Sequence, residues 1–201
     1  MAKSLDYFLA LSSPYTYMGH GRFEELAARR GLAVNYKPAN MGEVFAVSGG
    51  LPVKQRAPQR QAYRFMELKR WRAHLDVPLN LEPKHFPVPD AGAARMVIAA
   101  TEAGQAPAAL IGGFLRAVWA EERNIADPET LSAIAAETGY DANLLVEKAA
   151  LPETENTYKT YTAEAIERGV FGVPTWHFDG ELFWGQDRLD FLERALARSG
   201  T

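Results

Sequence analysis

The sequence predicts an α/β fold in which one small α/β domain is interrupted by a large all-α insertion. Both ends of the 201-residue chain contain short apolar runs typical of strands, whereas the middle contains only helical patterns and loops. Residues 1–40 and 168–201 are therefore assigned to one discontinuous domain, and residues 41–167 to an inserted helical domain.

The N-terminal segment is predicted to form a strand, a helix and a second strand. The apolar run Leu5–Leu11 indicates a buried strand that ends before Ser13-Pro14. Ser13 is a favoured N-cap, Pro14 suits the first helical position, and Gly31 is expected to end the helix. The alternating stretch 32–36 then predicts a second strand, which completes a right-handed crossover unit.

The middle of the chain contains helical patterns with ordinary start and stop signals. Asp90 is expected to cap a helix that ends at Gly104, and Asp127-Pro128 to open another that ends before Gly139. The segment Gly49-Gly50-Leu51-Pro52 indicates a loop. Further helices are predicted over residues 58–75, 108–122, 142–150 and 154–168.

The C-terminal part is predicted to return to the sheet as a hairpin followed by a helix. Residues 175–178 and 181–184 are strand-like runs joined by Asp179-Gly180, which is a strong hairpin signal. A last helix is expected from Asp187 to Arg198. Val173-Pro174 precedes the hairpin, where the proline either lies at a strand edge or follows a cis peptide bond in a tight turn.

Composition and charge exclude several classes of function. The formal net charge of -3 provides no global attraction to nucleic acid or to an anionic membrane. No window approaches the roughly 18 uninterrupted apolar residues of a membrane span, and no export signal is visible, so we expect a soluble cytoplasmic protein. The chain has no cysteine, which excludes disulfides, thiolate metal sites and intrinsic thiol–disulfide exchange. The four histidines lack metal-binding spacing, so no metal site is predicted.

Three positions near helix starts or at the hairpin could bind a ligand. Ser13 places a hydroxyl at a helix N-terminus, where an anion is favoured, although a plain N-cap is the ordinary explanation. Gln186 and Asp187 could bind the carboxylate and the ammonium of an amino acid, with a simple cap as the alternative for Asp187. If Pro174 is cis, the backbone of Val173 could pair with an extended peptide.

Residues 54–72 contain seven basic side chains and the single acid Glu67. A solvated helix face is the usual explanation of such a run. Arg60 and Arg64 share one face at the i, i+4 spacing, so they could also attract a carboxylate. Nucleic-acid binding is not predicted, because the rest of the chain is acidic and the run contains no paired aromatic platform.

The order of these features resembles the thioredoxin fold of the DsbA type. The segment 13–17, Ser-Pro-Tyr-Thr-Tyr, stands where redox enzymes of that superfamily carry Cys-x-x-Cys. Phe171–Thr175 and Trp184–Arg188 are similar to segments of the 2-hydroxychromene-2-carboxylate isomerases and of their relatives, the kappa-class glutathione transferases. The similarity runs along nearly the whole chain. One difference is Gly49-Gly50, where the family often has Gly-Asn.

The resemblance implies a glutathione-dependent isomerase that interconverts 2-hydroxychromene-2-carboxylate and trans-o-hydroxybenzylidenepyruvate, and it suggests a homodimer. Ser13 would be the catalytic residue, because it would contact the glutathione sulfur and stabilise the thiolate. The backbone of Val173 would pair with the cysteinyl unit. The residues implied in glutathione binding are Ser13, Arg60, Val173, Pro174, Gln186 and Asp187.

An aromatic carboxylate substrate would need an apolar wall and a cation. Tyr15, Trp71 and Trp184 are candidates for the wall, although core packing would also account for any one of them. Arg60 or Arg64 could receive the carboxylate. Two alternatives remain open: a kappa-like glutathione transferase, and a non-catalytic glutathione-binding protein, which Gly50 makes plausible.

Overall fold

Four strands form one mixed sheet in the described part of the chain, residues 4–198 of this computed structural model. β1 (Ser4–Leu9) pairs in parallel with β2 (Ala33–Pro38) and antiparallel with β3 (Thr175–Phe178), which pairs antiparallel with β4 (Glu181–Trp184). The predicted α/β class and the hairpin are confirmed. Residues 1–3 and 199–201, the outermost residues of the predicted discontinuous domain, lie outside the described residues.

Nine α-helices lie within residues 4–198, and the predicted ones are confirmed with ends that differ by at most three residues. The helix α2 was not predicted individually; the Asn40 side chain caps it by accepting a hydrogen bond from the Gly42 N–H at 3.0 Å. The helices are α1 (Pro14–Arg30), α2 (Met41–Ser48), α3 (Pro58–Leu75), α4 (Ala91–Glu102), α5 (Ala108–Trp119), α6 (Pro128–Glu137), α7 (Ala142–Ala149), α8 (Pro152–Glu167) and α9 (Leu189–Arg198).

Short-range signals account for most of these boundaries. Ser13 and Asp127 each accept a hydrogen bond from a backbone N–H of the helix that they precede, and each is followed by a proline in the first turn. Gly31 ends α1 with φ 61°, in the left-handed region that glycine adopts without strain. Asp179 and Gly180 have φ of 51° and 80°, and two positive φ values in succession fit the twist of a two-residue hairpin.

Hydrophobic clusters cover both faces of the sheet. On one face, the Tyr7 ring lies 4.8 Å from Phe23 of α1 and 5.4 Å from Trp176, measured between ring centroids. This cluster continues into the helices of the middle segment. On the other face, Phe8 packs with Ala165 of α8. The helix α8, which falls within the predicted insertion, therefore packs on the sheet itself, and the division into two domains stays a prediction.

Charged side chains within residues 4–198 pair with one another beside Phe8. Lys37 Nζ lies 3.2 Å from Asp6 Oδ2 and also pairs with Glu164, while Arg168 Nη2 lies 3.2 Å from Asp6 Oδ2. This pairing offsets the cost of placing Asp6 and Lys37 in a buried position. In the same range, no helix has the length and apolar character needed to cross a membrane. No group of three or more acidic or histidine side chains there is arranged to hold a metal ion.

Candidate functional site

Ser13 lies at the junction between β1 and α1, at the start of the helix. Its Oγ accepts a hydrogen bond from the Thr16 N–H at 3.2 Å, which confirms the predicted N-cap. The hydroxyl proton has no acceptor within residues 4–198, and the Tyr15 N–H has no partner there either. Because the helix N-terminus also favours negative charge, two donors at this position are available to an anion.

Ser12 holds this junction in place through long-range contacts that the local sequence does not indicate. Asp90 Oδ2 accepts hydrogen bonds from the Ser12 N–H at 3.0 Å and from the Ser12 hydroxyl at 2.8 Å. The Trp119 indole N–H donates to the Ser12 carbonyl oxygen at 3.2 Å. Asp90 occupies the N-cap position of α4, but the expectation that its side chain caps the helix is wrong. Burial raises the pKa of the Asp90 carboxyl, and the hydrogen bonds from Ser12 oppose that rise.

The peptide bond between Val173 and Pro174 is cis, which was one of the two alternatives for this proline. The carbonyl oxygen of Pro174 accepts a hydrogen bond from the Gly185 N–H at 2.9 Å. The N–H and C=O of Val173 form no hydrogen bond with another residue in the range 4–198. Val173 therefore retains a backbone donor and acceptor with which an extended peptide can pair.

Gly19 allows α1 to pack directly against Pro174 and Gln186. A Cβ atom at position 19 would lie 2.8 Å from Gln186 Cβ and 3.7 Å from Pro174 Cγ. Only glycine fits this approach without displacing its neighbours. The first turns of α1, the cis-proline segment and the turn before α9 therefore come together, and these elements contain Ser13, Val173 and Gln186.

Gln186 and Asp187 belong to a 3-10 turn, so the last helix begins at Leu189 and not at Asp187. Gln186 is 1% exposed, and its Oε1 accepts a hydrogen bond from Arg22 Nη1 at 2.8 Å. The Asp187 side chain is exposed and pairs with the neighbouring Arg188. These two adjacent residues thus combine a buried amide with an exposed carboxylate.

Arg64 is a buried cation with a free donor. Its side chain is 8% exposed, and its guanidinium carbon lies 5.3 Å from the Phe86 ring centroid and 5.8 Å from that of Trp119. Nη2 is buried and has no hydrogen-bond partner among residues 4–198. A buried charged donor without a partner is costly, and an anionic ligand would remove that cost. Since Trp119 also binds the Ser12 carbonyl, one indole ring connects Arg64 with the residue beside Ser13.

Tyr15 lies near the same cations. Burial raises the pKa of the Tyr15 hydroxyl, whereas the positive charges of Arg64 and Arg56 oppose that rise. Burial also lowers the pKa of Arg64, and Tyr15 opposes that effect. The ring of Tyr15 is partly buried and packs against the main hydrophobic cluster. Ser13, Tyr15 and Arg64, three of the predicted residues, are thus brought into one region.

The remaining predicted residues have more varied surroundings. Arg60 is exposed on α3 and forms no ion pair within the described range of 4–198. Trp71 packs against the main hydrophobic cluster and lies edge-on to the His74 ring, with 5.4 Å between ring centroids. These contacts correspond to core packing, the alternative to a place in the substrate wall. Trp184 is 49% exposed and lies 4.6 Å from the Phe171 ring, so it flanks the segment that leads to Val173.

Gly50 lies where the resemblance leads one to expect asparagine. A Cβ atom at this position would lie 2.2 Å from Phe45 Cδ1, so a larger residue would require the partly buried Phe45 ring to move. The Phe45 ring is in turn 6.0 Å from the guanidinium carbon of Arg56. An aromatic ring and a cation therefore stand beside the loop in place of an amide.

Comparisons with known proteins identify the family of this chain. Residues 4–197 match the DSBA-like thioredoxin domain family. The 2-hydroxychromene-2-carboxylate isomerase of Sphingobium xenophagum is 30% identical over 98% of this chain and 99% of that protein. Human glutathione S-transferase kappa 1 is 26% identical over 98% of this chain and 92% of that protein.

A solved structure of a 2-hydroxychromene-2-carboxylate isomerase has a TM-score of 0.77 and 28% sequence identity, and the match covers 97% of this chain and 95% of that chain. The predicted DsbA-type thioredoxin fold with a helical insertion is confirmed. The chain belongs to the DSBA-like thioredoxin domain family and, within it, to the 2-hydroxychromene-2-carboxylate isomerase family.

Proposed function

We propose that this protein is a glutathione-dependent isomerase that interconverts 2-hydroxychromene-2-carboxylate and trans-o-hydroxybenzylidenepyruvate. The observation that carries the proposal is the combination of a free Ser13 hydroxyl at a helix N-terminus with the buried, unpartnered Nη2 of Arg64. The first suits a thiolate and the second suits a substrate carboxylate. The named activity of the relative that is 30% identical supports the same reaction.

The free groups of the site fit glutathione part by part. The Ser13 hydroxyl and the Tyr15 N–H can donate to a thiolate, and the unpaired backbone of Val173 can pair with the cysteinyl unit. Gln186 and Asp187 would hold the carboxylate and the ammonium of the γ-glutamyl unit. Because the chain has no cysteine, bound glutathione would supply the nucleophilic thiol.

Ser13 acts in this proposal as a hydrogen-bond donor and not as a nucleophile. A free cysteine thiol has a pKa of about 8.5, so holding it mainly as thiolate at neutral pH requires about 3 kcal/mol of preferential stabilisation. A helix N-terminus supplies about 0.3–1 kcal/mol, or about 2 kcal/mol when partly buried. A hydrogen bond to a charged group adds about 1.5–3 kcal/mol. The Ser13 hydroxyl and the N-terminus of α1 together can therefore supply the stabilisation that keeps the bound thiol mainly as thiolate.

The aromatic substrate would lie between Ser13 and the cation of α3. Arg64 would receive the substrate carboxylate through its free Nη2, and its position on the Phe86 and Trp119 rings keeps the guanidinium from turning away. Tyr15 would form one wall of the site, with the half-exposed Trp184 on the other flank.

Calorimetric titration with glutathione tests the proposal most directly. We expect the wild type to bind and Asp187→Ala to bind about tenfold more weakly, because a charge-assisted contact is worth about 1.5 kcal/mol or more. Asp190→Ala, which removes an exposed carboxylate from the first turn of α9, serves as the matched control and should bind as the wild type does. A wild-type protein that does not bind glutathione would contradict the proposal.

A kappa-like glutathione transferase is the second candidate, supported by the 26% identity with human glutathione S-transferase kappa 1. Product analysis separates the two candidates. The isomerase should turn over many equivalents of substrate while the free glutathione concentration stays constant, whereas a transferase consumes glutathione as a stable conjugate. A protein that binds glutathione but does neither would be the non-catalytic binding protein. The cytoplasmic location and the homodimer stay predictions.

A further inference from the structure

Arg22 of α1 binds Gln186 through two hydrogen bonds. Its Nη1 donates to Gln186 Oε1 at 2.8 Å and to the Gln186 carbonyl oxygen at 3.3 Å. A guanidinium group has donors only, whereas a carboxamide has an acceptor at one end and two donors at the other. The amide of Gln186 must therefore turn its oxygen towards Arg22 and its Nε2 group away from it.

The Nε2 group of Gln186 is thereby left as a free donor. It forms no hydrogen bond with another residue in the range 4–198, although the side chain as a whole is buried. Gly19 packs against the Gln186 Cβ, so the side chain has little space in which to move sideways. The main remaining freedom is a flip of the amide, and Arg22 decides which of the two orientations is adopted.

We propose that Arg22 is a positioning residue for glutathione, because it makes Gln186 a donor for the α-carboxylate of the γ-glutamyl unit. This inference rests on the proposed glutathione site. A flipped amide would present Oε1 to that carboxylate, and two acceptors in contact repel each other. Asp187, the next residue, offers the acceptor that the neighbouring ammonium needs. The pair can therefore distinguish the two charged groups of an amino-acid end.

The surroundings of Arg22 allow its role to be tested without disrupting a packed core. Besides its contact with Gln186, the residue lines a cavity of about 360 Å³ between α1, α3 and α5, together with His20, Glu25 and Leu75. Arg22→Met removes the donor but keeps a long side chain, and Arg22→Lys keeps a donor. Arg29→Met, at an exposed site on the same helix, is the matched control.

The experiment is a calorimetric titration of each variant with glutathione, γ-glutamylcysteine and cysteinylglycine, with thermal melting to establish that each variant is folded. Arg22→Met should bind the two γ-glutamyl thiols about tenfold more weakly and cysteinylglycine with unchanged affinity. Arg22→Lys should keep most of the wild-type affinity, and Arg29→Met all of it. In a Gln186→Leu background, Arg22→Met should cause no further loss, because its effect passes through Gln186.

Two results would overturn the inference while the proposed function stands. One is an Arg22→Met protein that binds glutathione as tightly as the wild type, and the other is an equal loss for all three thiols, which would indicate a general structural role. A wild-type protein that fails to bind glutathione would overturn the inference and the proposed function together.

Discussion

Replacing Ser13 with alanine should separate two effects of one hydroxyl. The change removes the 3.2 Å hydrogen bond from the Thr16 N–H, and the loss of an N-cap costs about 1 kcal/mol in the free energy of unfolding. It also removes the free O–H donor, worth about 1.5–3 kcal/mol to a bound thiolate. We therefore expect the thiol pKa of bound glutathione to rise by about 1 to 2 in the variant. Turnover at neutral pH should fall accordingly, while the affinity for glutathione changes little.

Two measurements check this prediction. Ultraviolet titration of the glutathione complex follows the thiolate directly, and chemical denaturation measures the free energy of unfolding. Asp127→Ala is the matched control, because Asp127 also precedes a first-turn proline and accepts a hydrogen bond from a backbone N–H, that of Thr130, at 3.0 Å. The control should lose similar stability with no change in the thiol pKa. If the Ser13→Ala complex keeps the wild-type thiol pKa, Ser13 is only a helix cap and the reasoning is wrong.

Three further predictions follow from single residues. Arg64→Met should raise the KM for the aromatic carboxylate about tenfold or more and leave the Kd of glutathione unchanged, because only the carboxylate loses its charged partner; an unchanged KM in steady-state kinetics would contradict this. Burial lowers the pKa of His20 from 6.5 to about 4. Between these pH values the unfolded chain binds a proton at His20, whereas the folded chain keeps His20 neutral. The free energy of unfolding should therefore fall by about 3 kcal/mol as the pH drops from 6.5 towards 4. In denaturation at several pH values, the free energy of unfolding of His20→Gln should depend less steeply on pH than that of the wild type. An unchanged pH dependence would exclude His20 as its source. Gly19→Ala should lower the free energy of unfolding by about 1–3 kcal/mol and weaken glutathione binding, because the added Cβ would lie 2.8 Å from Gln186 Cβ. Gly21→Ala should do neither in the same denaturation and binding assays, because within residues 4–198 its Cβ would meet no atom within 4 Å outside the adjacent residues and backbone of α1.

Most of the secondary structure could be predicted because its boundaries depend on neighbouring residues. The Ser13-Pro14 pair marks the start of α1, and Gly31 its end, through capping chemistry that spans only a few residues. The same holds for Asp179-Gly180, whose positive φ values are needed for the hairpin turn. Where such signals were weaker, as at the short helix α2 (Met41–Ser48), the prediction did not go beyond helices and loops.

The role of a residue could not be predicted where its partner is distant in the chain. Asp90 carries a normal capping signal for α4, but its carboxylate binds Ser12, 78 residues away. In the same way, the sequence marks Trp71 and Trp184 as equal candidates, although one packs against the core and the other is half exposed. Nothing in the local pattern distinguishes these outcomes, because they depend on which helices pack against each other.

The sequence by itself determined the family and the order of the elements, because the family segments and the cap and turn signals can be read from neighbouring residues. Only the tertiary structure decided how the site is built. It showed that Trp119 contacts both Arg64 and Ser12 and that Arg22 donates a hydrogen bond to Gln186 Oε1. The physical reason is that caps and turns are local interactions, whereas the burial and pairing of polar groups depend on segments that meet only after folding.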